Sequence, residues 1–485
     1  MRAGKRMLQT GRSHVPLLIA AVLAAVLVQC TLQPDVETAS AKPNVLFISI
    51  DDLRPELECY GAERMHTPNL DSFAASSLRF TRAYCQQALC NPSRSSYLTG
   101  ARPETTRIQG QKEVFRDTMP DVVTLPQHFK ANGYTCLSMG KVFHGNRLDA
   151  RSWSEEEYLP DRKLIYAGEE NRTLNRPRKK ARVTESEDVA DNVYRDGLVA
   201  DRAIEALERL KDEPFFLALG FFKPHLPFAA PKRYWDMYPP GSIELPKDMS
   251  APLGAVIFGM HDSHEIRQYM DAPDSGAFSD EFMLRLLHGY LACTSYVDAQ
   301  VGRVLDALPG LGLSDNTIVV IFGDHGFYLG DHGMWGKSGT FETAARVPLM
   351  IRAPGKSKGG STSAALVELV DLYPSLCELA GLPLPTHLEG LSFAPLLSDP
   401  AQSWKKAAFT YHPSGPVEGA SLCNDRWRFT SWRTLGPGGK EVSRELYDHE
   451  SDPLEMVNLA PRAEYGEQIA IMKSLLDGGW QAARP

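Results

Sequence analysis

The stretch Asn44-Val45-Leu46-Phe47-Ile48-Ser49-Ile50, closed by Asp51-Asp52, decides how this chain folds. It is a continuous apolar run of strand length. A strand with one solvated face alternates apolar and polar residues, whereas a strand covered on both faces need not. The run therefore predicts a strand of a parallel sheet sandwiched between helices. Similar runs recur at 134–139, 214–222 and 317–322, with a shorter one at 347–351. Between them lie helical patterns at 67–78, 125–132, 199–210 and 282–308, the last opening after Ser279 and Asp280 as caps. Strand and helix alternating over this length give an α/β domain.

In open α/β sheets, ligands bind beyond the carboxyl ends of the strands. The run ending at Ile50 leads into Asp51-Asp52, and the run ending at Met139 into Gly140-Lys141-Val142-Phe143-His144. The run ending at Phe222 leads into Lys223-Pro224-His225, and the run ending at Phe322 into Gly323-Asp324-His325-Gly326. If these strands are parallel, the clusters share one rim and predict a single metal site that handles a polyanion. Asp51 and Asp52 repel each other at a buried strand end unless a cation sits between them. With Asp324 they suit a hard ion such as Ca²⁺ or Mg²⁺, while the imidazole of His325 favours zinc or a transition metal, so the donor set leaves the metal open. Asp51-Asp52 also reads as a helix cap before Leu53-Arg54-Pro55.

Cys90-Asn91-Pro92-Ser93-Arg94 supplies a nucleophile. Pro92 suits the first turn of a helix running to Leu98, which sets Cys90 just before a helix N-terminus, where negative charge is stabilised. Arg94, one turn on, can pair with that anion or with a metal-ligand carboxylate. An inert buried cysteine or a Cys85–Cys90 disulfide are the structural alternatives. Lys141, Lys337 and Arg94 are candidates for meeting charge on transferred oxygens, and His144 and His225 for acid–base work in the range where imidazole titrates.

A net charge of -8 gives no reason to expect nucleic-acid binding, so an anionic substrate must be met by a local cluster of Lys, Arg and His. The N-terminus reads as an export signal: Arg2, Lys5, Arg6 and Arg12 precede an uncharged apolar run at 15–28 that is short for a bilayer span. A membrane anchor and a lipoprotein, the latter from Leu27-Val28-Gln29-Cys30, are the alternatives. Beyond that signal remain Cys59, Cys85, Cys90, Cys136, Cys293, Cys377 and Cys423, an odd set that leaves one unpaired or chemically altered. Residues 1–30 are thus read as signal peptide, 31–41 as linker, 42–400 as catalytic domain and 401–485 as a small C-terminal subdomain. The charged stretch 155–195 reads as a solvated surface insertion.

These segments identify a resemblance. Residues 44–55 (NVLFISIDDLRP), 86–100 (QQALCNPSRSSYLTG), 102–107 (RPETTR), 140–144 (GKVFH), 223–228 (KPHLPF), 323–337 (GDHGFYLGDHGMWGK) and 446–459 (LYDHESDPLEMVNL) resemble the type I, formylglycine-dependent sulfatases, and within them the iduronate-2-sulfatase branch. The resemblance implies an alkaline-phosphatase-like, mostly parallel sheet flanked by helices, with a smaller C-terminal α+β subdomain. It implies that a formylglycine-generating or equivalent maturation enzyme oxidises Cys90 to formylglycine. Asp51, Asp52, Asp324 and His325 would bind Ca²⁺ together with the modified Cys90. Arg94 would stabilise the hydrated aldehyde, Lys141 and Lys337 would hold the sulfate, His225 would stand near the leaving group and His144 would act on the hydrate. One hydroxyl of the hydrate attacks sulfur and expels the alcohol; the second is then deprotonated, sulfate is eliminated and the aldehyde returns. Phe327 holds a loop position beside the metal residues where substrate recognition departs from the family.

The expected substrate is a sulfated saccharide and the expected location is periplasmic or extracellular. Two other readings compete: a phosphodiesterase or phosphonate hydrolase of the alkaline-phosphatase superfamily, and a non-catalytic glycan-binding protein in which Cys90 is never oxidised.

Overall fold

β1 (Asn44–Ile50) forms where the apolar run predicted it, and every residue in it is buried. Its alternate side chains serve two cores. Val45 and Phe47 point to one face, with Phe216, Phe322 and Tyr97; Leu46, Ile48 and Ile50 point to the other. Burying such side chains contributes about 1.5–3 kcal/mol each, which is why no polar alternation is tolerated here. The structure, a computed structural model, describes residues 42–145, 147–174, 179–436 and 438–485, with Met1 and Gly4. The expected signal peptide and most of the linker lie outside the described residues.

The main sheet continues with β2 (Leu78–Tyr84), β3 (Thr135–Gly140), β4 (Phe215–Phe221), β5 (Thr317–Gly323), β6 (Arg346–Arg352) and β7 (Ser361–Ser363), in the order β7-β2-β6-β5-β1-β4-β3. β5, β1, β4 and β3 are mutually parallel. The 347–351 run does become β6, but it pairs antiparallel with both β5 and β2. β2 has no counterpart among the predicted runs. Its sequence, Leu-Arg-Phe-Thr-Arg-Ala-Tyr, alternates because part of one face is only half-buried, and the predicted helix over 67–78 stops short of it at Ala75.

The flanking helices are α1 (Pro68–Ala75), α2 (Cys90–Thr99), α3 (Leu125–Ala131), α4 (Arg195–Leu210), α5 (Asp280–Gly310) and α6 (Leu372–Leu379). α4 and α5 cover one face through Val199, Ala203, Leu207, Val297, Val301 and Val304. α2, α3 and α6 cover the other through Leu98, Phe129 and Leu376. Ser279 caps α5 by accepting the Phe282 N–H at 3.3 Å, as its position predicts.

Beyond residue 400 a separate antiparallel sheet runs β8 (Ala408–Ser414), β9 (Val417–Cys423), β10 (Trp427–Thr434) and β11 (Glu441–Asp448). α7 (Gly466–Ala482) closes it, with Ile469 and Met472 against Leu422, Phe429 and Leu446. All seven described cysteines are free, so the Cys85–Cys90 disulfide does not form. Among the described residues no helix is long and apolar enough to cross a membrane.

Candidate active site and metal centre

Register brings the polar clusters to one level. Ile50 pairs with Phe221 on one side and Gly323 on the other, while Gly140 pairs with Gly220. The residues that follow, Asp51, Lys141, Lys223 and Asp324, therefore leave the sheet at a common edge. The end of β3 curls tightly over β4: Gly140 has φ +78°, and a Cβ on Gly220 would lie 2.0 Å from the Lys141 carbonyl. That close approach, which only glycine permits, turns Lys141 inward.

Cys90 is the first residue of α2 and is fully buried. Its Sγ lies 3.3 Å from His325 Nε2, 3.4 Å from Lys337 Nζ and 3.6 Å from Lys141 Nζ. Burial and Asp51 oppose ionisation, but Lys141, Lys337 and His325 outweigh them and hold the thiol below its ordinary pKa. Lys337 Nζ also sits 2.9 Å and 3.1 Å from the two oxygens of Asp52, and Lys141 Nζ contacts Asp51. Both lysines are desolvated, yet the facing carboxylates and thiol raise their pKa, so they remain cationic.

The donor set fits a cation. Asp51, Asp52, Cys90 and His325 each offer an atom within 4.8 Å of the others, all buried. His325 Nδ1–H donates to the Gly326 carbonyl at 2.9 Å, which turns Nε2 toward Asp52 (3.4 Å) and Cys90 (3.3 Å). Burial, reinforced by Asp51 and Cys90, drives the Asp52 carboxyl well above the carboxylate range despite Lys337. Against its own burial, His325 is pulled up to about 10 by Asp324 and Cys90. The His325 shift reports the negative charge of Asp324, Cys90 and Asp52 around its ring, whereas that of Asp52 is owed first to burial. Asp324 stands beside this group, with Oδ1 3.7 Å from His325 Nε2, but outside the four that converge.

Of the two partners open to Arg94, the structure provides the carboxylates. Its Nε donates to Asp324 Oδ2 at 3.0 Å and its Nη2 to Asp51 Oδ1 at 3.1 Å, while its Nη1 donates to the Lys141 and Val142 carbonyls.

The histidines depart from expectation. Burial and then Lys141 push His144 down to about 3, and burial with Lys337 and Lys141 holds His225 well below the ordinary imidazole value. His144 Nδ1 is buried without a partner. His225 Nδ1–H donates to the Leu226 carbonyl, and its Nε2 faces Glu265 Oε1 at 3.4 Å. Glu265 also reaches Lys337 at 3.5 Å and is absent from every motif read in the sequence. It lies in a loop with no periodicity, so only the fold reveals it. Phe327 is fully buried, stacked on Tyr290 at 5.6 Å, and does not line the adjoining cavity.

That cavity has a volume of about 800 Å³ and is lined by Asp51, Lys141, His144 and His225. Leu159, Pro160, Arg162, Leu164 and Arg195 line it as well. The stretch 155–195 is therefore not simply a solvated insertion; part of it walls the site.

The family model for Sulfatase matches residues 43–382, and one for N-sulphoglucosamine sulphohydrolase, C-terminal, matches 330–479. The chain belongs to the sulfatase family. It is similar to iduronate 2-sulfatase of Homo sapiens, at 36% identity over 79% of this chain and 77% of that one. A sulfatase of Formosa agariphila is 31% identical over 90% and 86% of the two chains. The phosphonate monoester hydrolase of Agrobacterium radiobacter superposes with a TM-score of 0.75 at 23% identity, over 91% of this chain and 96% of that one, a likeness of fold. As a member of the sulfatase family the chain is a sulfuric ester hydrolase, with the alkaline-phosphatase-like fold that its sequence implies.

Proposed function

We propose that this sulfatase removes sulfate from a sulfated carbohydrate, in the manner of an iduronate-2-sulfatase, using Cys90 after its oxidation to formylglycine. The observation that carries the reading is the ring of Lys141, Lys337 and His325 within 3.6 Å of Cys90 Sγ. A residue meant only for packing would not be surrounded by desolvated cations. Oxidised and hydrated, Cys90 would supply a geminal diol, whose two hydroxyls let sulfate be both taken up and released. Asp51, Asp52, Asp324 and His325 would hold a divalent cation, which we assign as Ca²⁺ on the three carboxylates; it would neutralise charge on the nucleophile and sulfate oxygens.

The chain's own residues divide the remaining work. Lys141 and Lys337 offer N–H donors on either side of Cys90 and meet the non-bridging sulfate oxygens. Arg94 fixes Asp51 and Asp324 and thereby positions the cation site. His225 stands on the cavity side as proton donor to the departing sugar oxygen. Its low proton affinity comes from burial and from Lys337 and Lys141, so an anion bound to those lysines raises it. His144, with a free Nδ1 and a neutral ring, accepts the proton when sulfate leaves.

Residues 42–400 serve as catalytic domain and 401–485 as C-terminal subdomain. A maturation enzyme that oxidises Cys90, and export to the periplasm or beyond under the N-terminal signal, complete the reading; degradation of glycosaminoglycans or other sulfated glycans is the setting it fits. Ion chromatography of sulfate released from a panel of sulfated disaccharides tests it. Release from at least one of them is expected, and release from none, by protein with converted Cys90, would overturn it.

A further inference from the structure

Arg195, the first residue of α4, lines the 800 Å³ cavity that Lys141 also lines. Its guanidinium stacks 3.3 Å from the centre of the Phe222 ring, which fixes its plane, and its Nε is buried without a hydrogen-bond partner. The nearby carboxylates are spent. Asp196 accepts the N–H groups of Phe222 (2.6 Å) and Lys223 (3.1 Å). Asp51 is taken by Lys141 and Arg94, and Asp161 accepts the Lys163 N–H at 2.9 Å. No ion pair to Arg195 occurs among the described residues. A second cation, Arg162, lines the same cavity and lowers the proton affinity of Arg195; with burial as the larger cause, Arg195 falls to about 10 and stays charged at neutral pH. A half-buried guanidinium with a like charge beside it and no counter-ion is a site waiting for an anion. The scissile sulfate belongs to Lys141 and Lys337 around Cys90, and among the described residues no hydrogen bond or ion pair joins Arg195 to any of these three. The cavity, at about 800 Å³, is large enough to take a sugar ring.

We propose that Arg195, with Arg162, forms a second anion subsite that takes a carboxylate or a second sulfate on the same sugar and so selects doubly charged sulfated saccharides over singly charged ones. This rests on the reading of the site as a sulfatase of carbohydrates. The planar fork of arginine suits either group by paired N–H donors.

The test compares two substrate pairs on wild type, Arg195→Gln and Arg195→Lys. One pair is a 2-O-sulfated uronic acid glycoside and its carboxyl methyl ester; the other is a disulfated hexosamine and its monosulfated counterpart. In wild type, kcat/KM favours the doubly charged member of one pair, and the pair concerned identifies the anion as carboxylate or sulfate. Arg195→Gln lowers that preference by about 10- to 100-fold, the loss of a charge-assisted contact, and Arg195→Lys retains part of it. Calorimetric binding of the same compounds to Cys90→Ala protein, with and without Arg195→Gln, gives the same ratios without turnover. A preference unchanged by Arg195→Gln in both assays overturns the subsite. Wild type that releases no sulfate from any of the four overturns the sulfatase reading instead, and the binding ratios still judge Arg195.

Discussion

The main-chain N–H of Asp52 donates to Oδ1 of Asp324 at 3.0 Å, tying together strand ends 272 positions apart. To make this bond Asp52 adopts φ +62°, in the left-handed region that Asp and Asn tolerate best among residues with a side chain. The strain is held where two carboxylate-bearing strand ends must present their oxygens to one point.

Asp52→Asn keeps that backbone preference and the shape of the side chain but removes the charge. The protein folds as before, and its affinity for the divalent cation falls by about tenfold or more. Elemental analysis after dialysis, with circular dichroism as the control for folding, checks this; unchanged metal content contradicts the assignment.

His225→Ala separates leaving groups. Loss of a proton donor costs about 10²–10⁴-fold in kcat when the departing oxygen is a sugar alkoxide. An aryl sulfate such as 4-nitrophenyl sulfate needs little help, so its loss is far smaller. Equal losses on both would assign His225 to binding rather than to proton transfer.

In the substrate-free protein both site histidines are neutral through the working range, and His225 gains its proton only when an anion occupies Lys141 and Lys337. A group whose folded pKa is depressed takes up its proton on unfolding, so His144, held to about 3, costs stability as pH falls below about 6.5 and costs nothing above it. The same sign governs activity: kcat/KM shows no acid limb near 6.5. Lys141 and Lys337 are shifted upward, so their deprotonation does not limit the alkaline side below the ordinary lysine range. A pH profile of kcat/KM checks both; an acid limb near 6.5 that vanishes in His144→Ala contradicts the account.

Gly220→Ala forces a methyl group to within 2.0 Å of the Lys141 carbonyl. Backbone cannot yield as a side chain does, so stability falls by about 3 kcal/mol and activity falls with it as Lys141 is displaced. Gly466→Ala, where a Cβ meets nothing within 4 Å, is the control and changes neither. Urea unfolding of the two variants measures the difference.

What the sequence made legible follows from local pattern. Strands buried on both faces announce themselves as unbroken apolar runs, and the polar residue after each run marks the sheet edge, which is how Asp51, Lys141, His225 and Asp324 could be brought to one site. β2 escaped because alternation resembles a surface segment. Glu265 and Arg195 escaped for another reason: each is one charged residue among many, and only the fold sets the first against His225 and Lys337 and the second against Phe222. Phe327 erred the other way, since proximity in sequence to Asp324 says nothing about its packing on Tyr290. The proton affinity of His225 depends on burial and on Lys337 and Lys141 from other segments, which no motif encodes; that of His144 depends first on burial, which its motif does not encode, and then on Lys141, which the motif contains.

The central claim is that an oxidised Cys90, gathered with these strand ends, cleaves a sulfate ester. Its most direct test pairs two measurements on preparations that differ in maturation: the fraction of the Cys90 peptide that is lighter by about 18 Da, as exchange of sulfur for oxygen with loss of two hydrogens requires, and the rate of sulfate release from a sulfated sugar. The rate should rise in proportion to the converted fraction, from zero in Cys90→Ala. Full activity in protein whose Cys90 remains a thiol, or in Cys90→Ala, would contradict it.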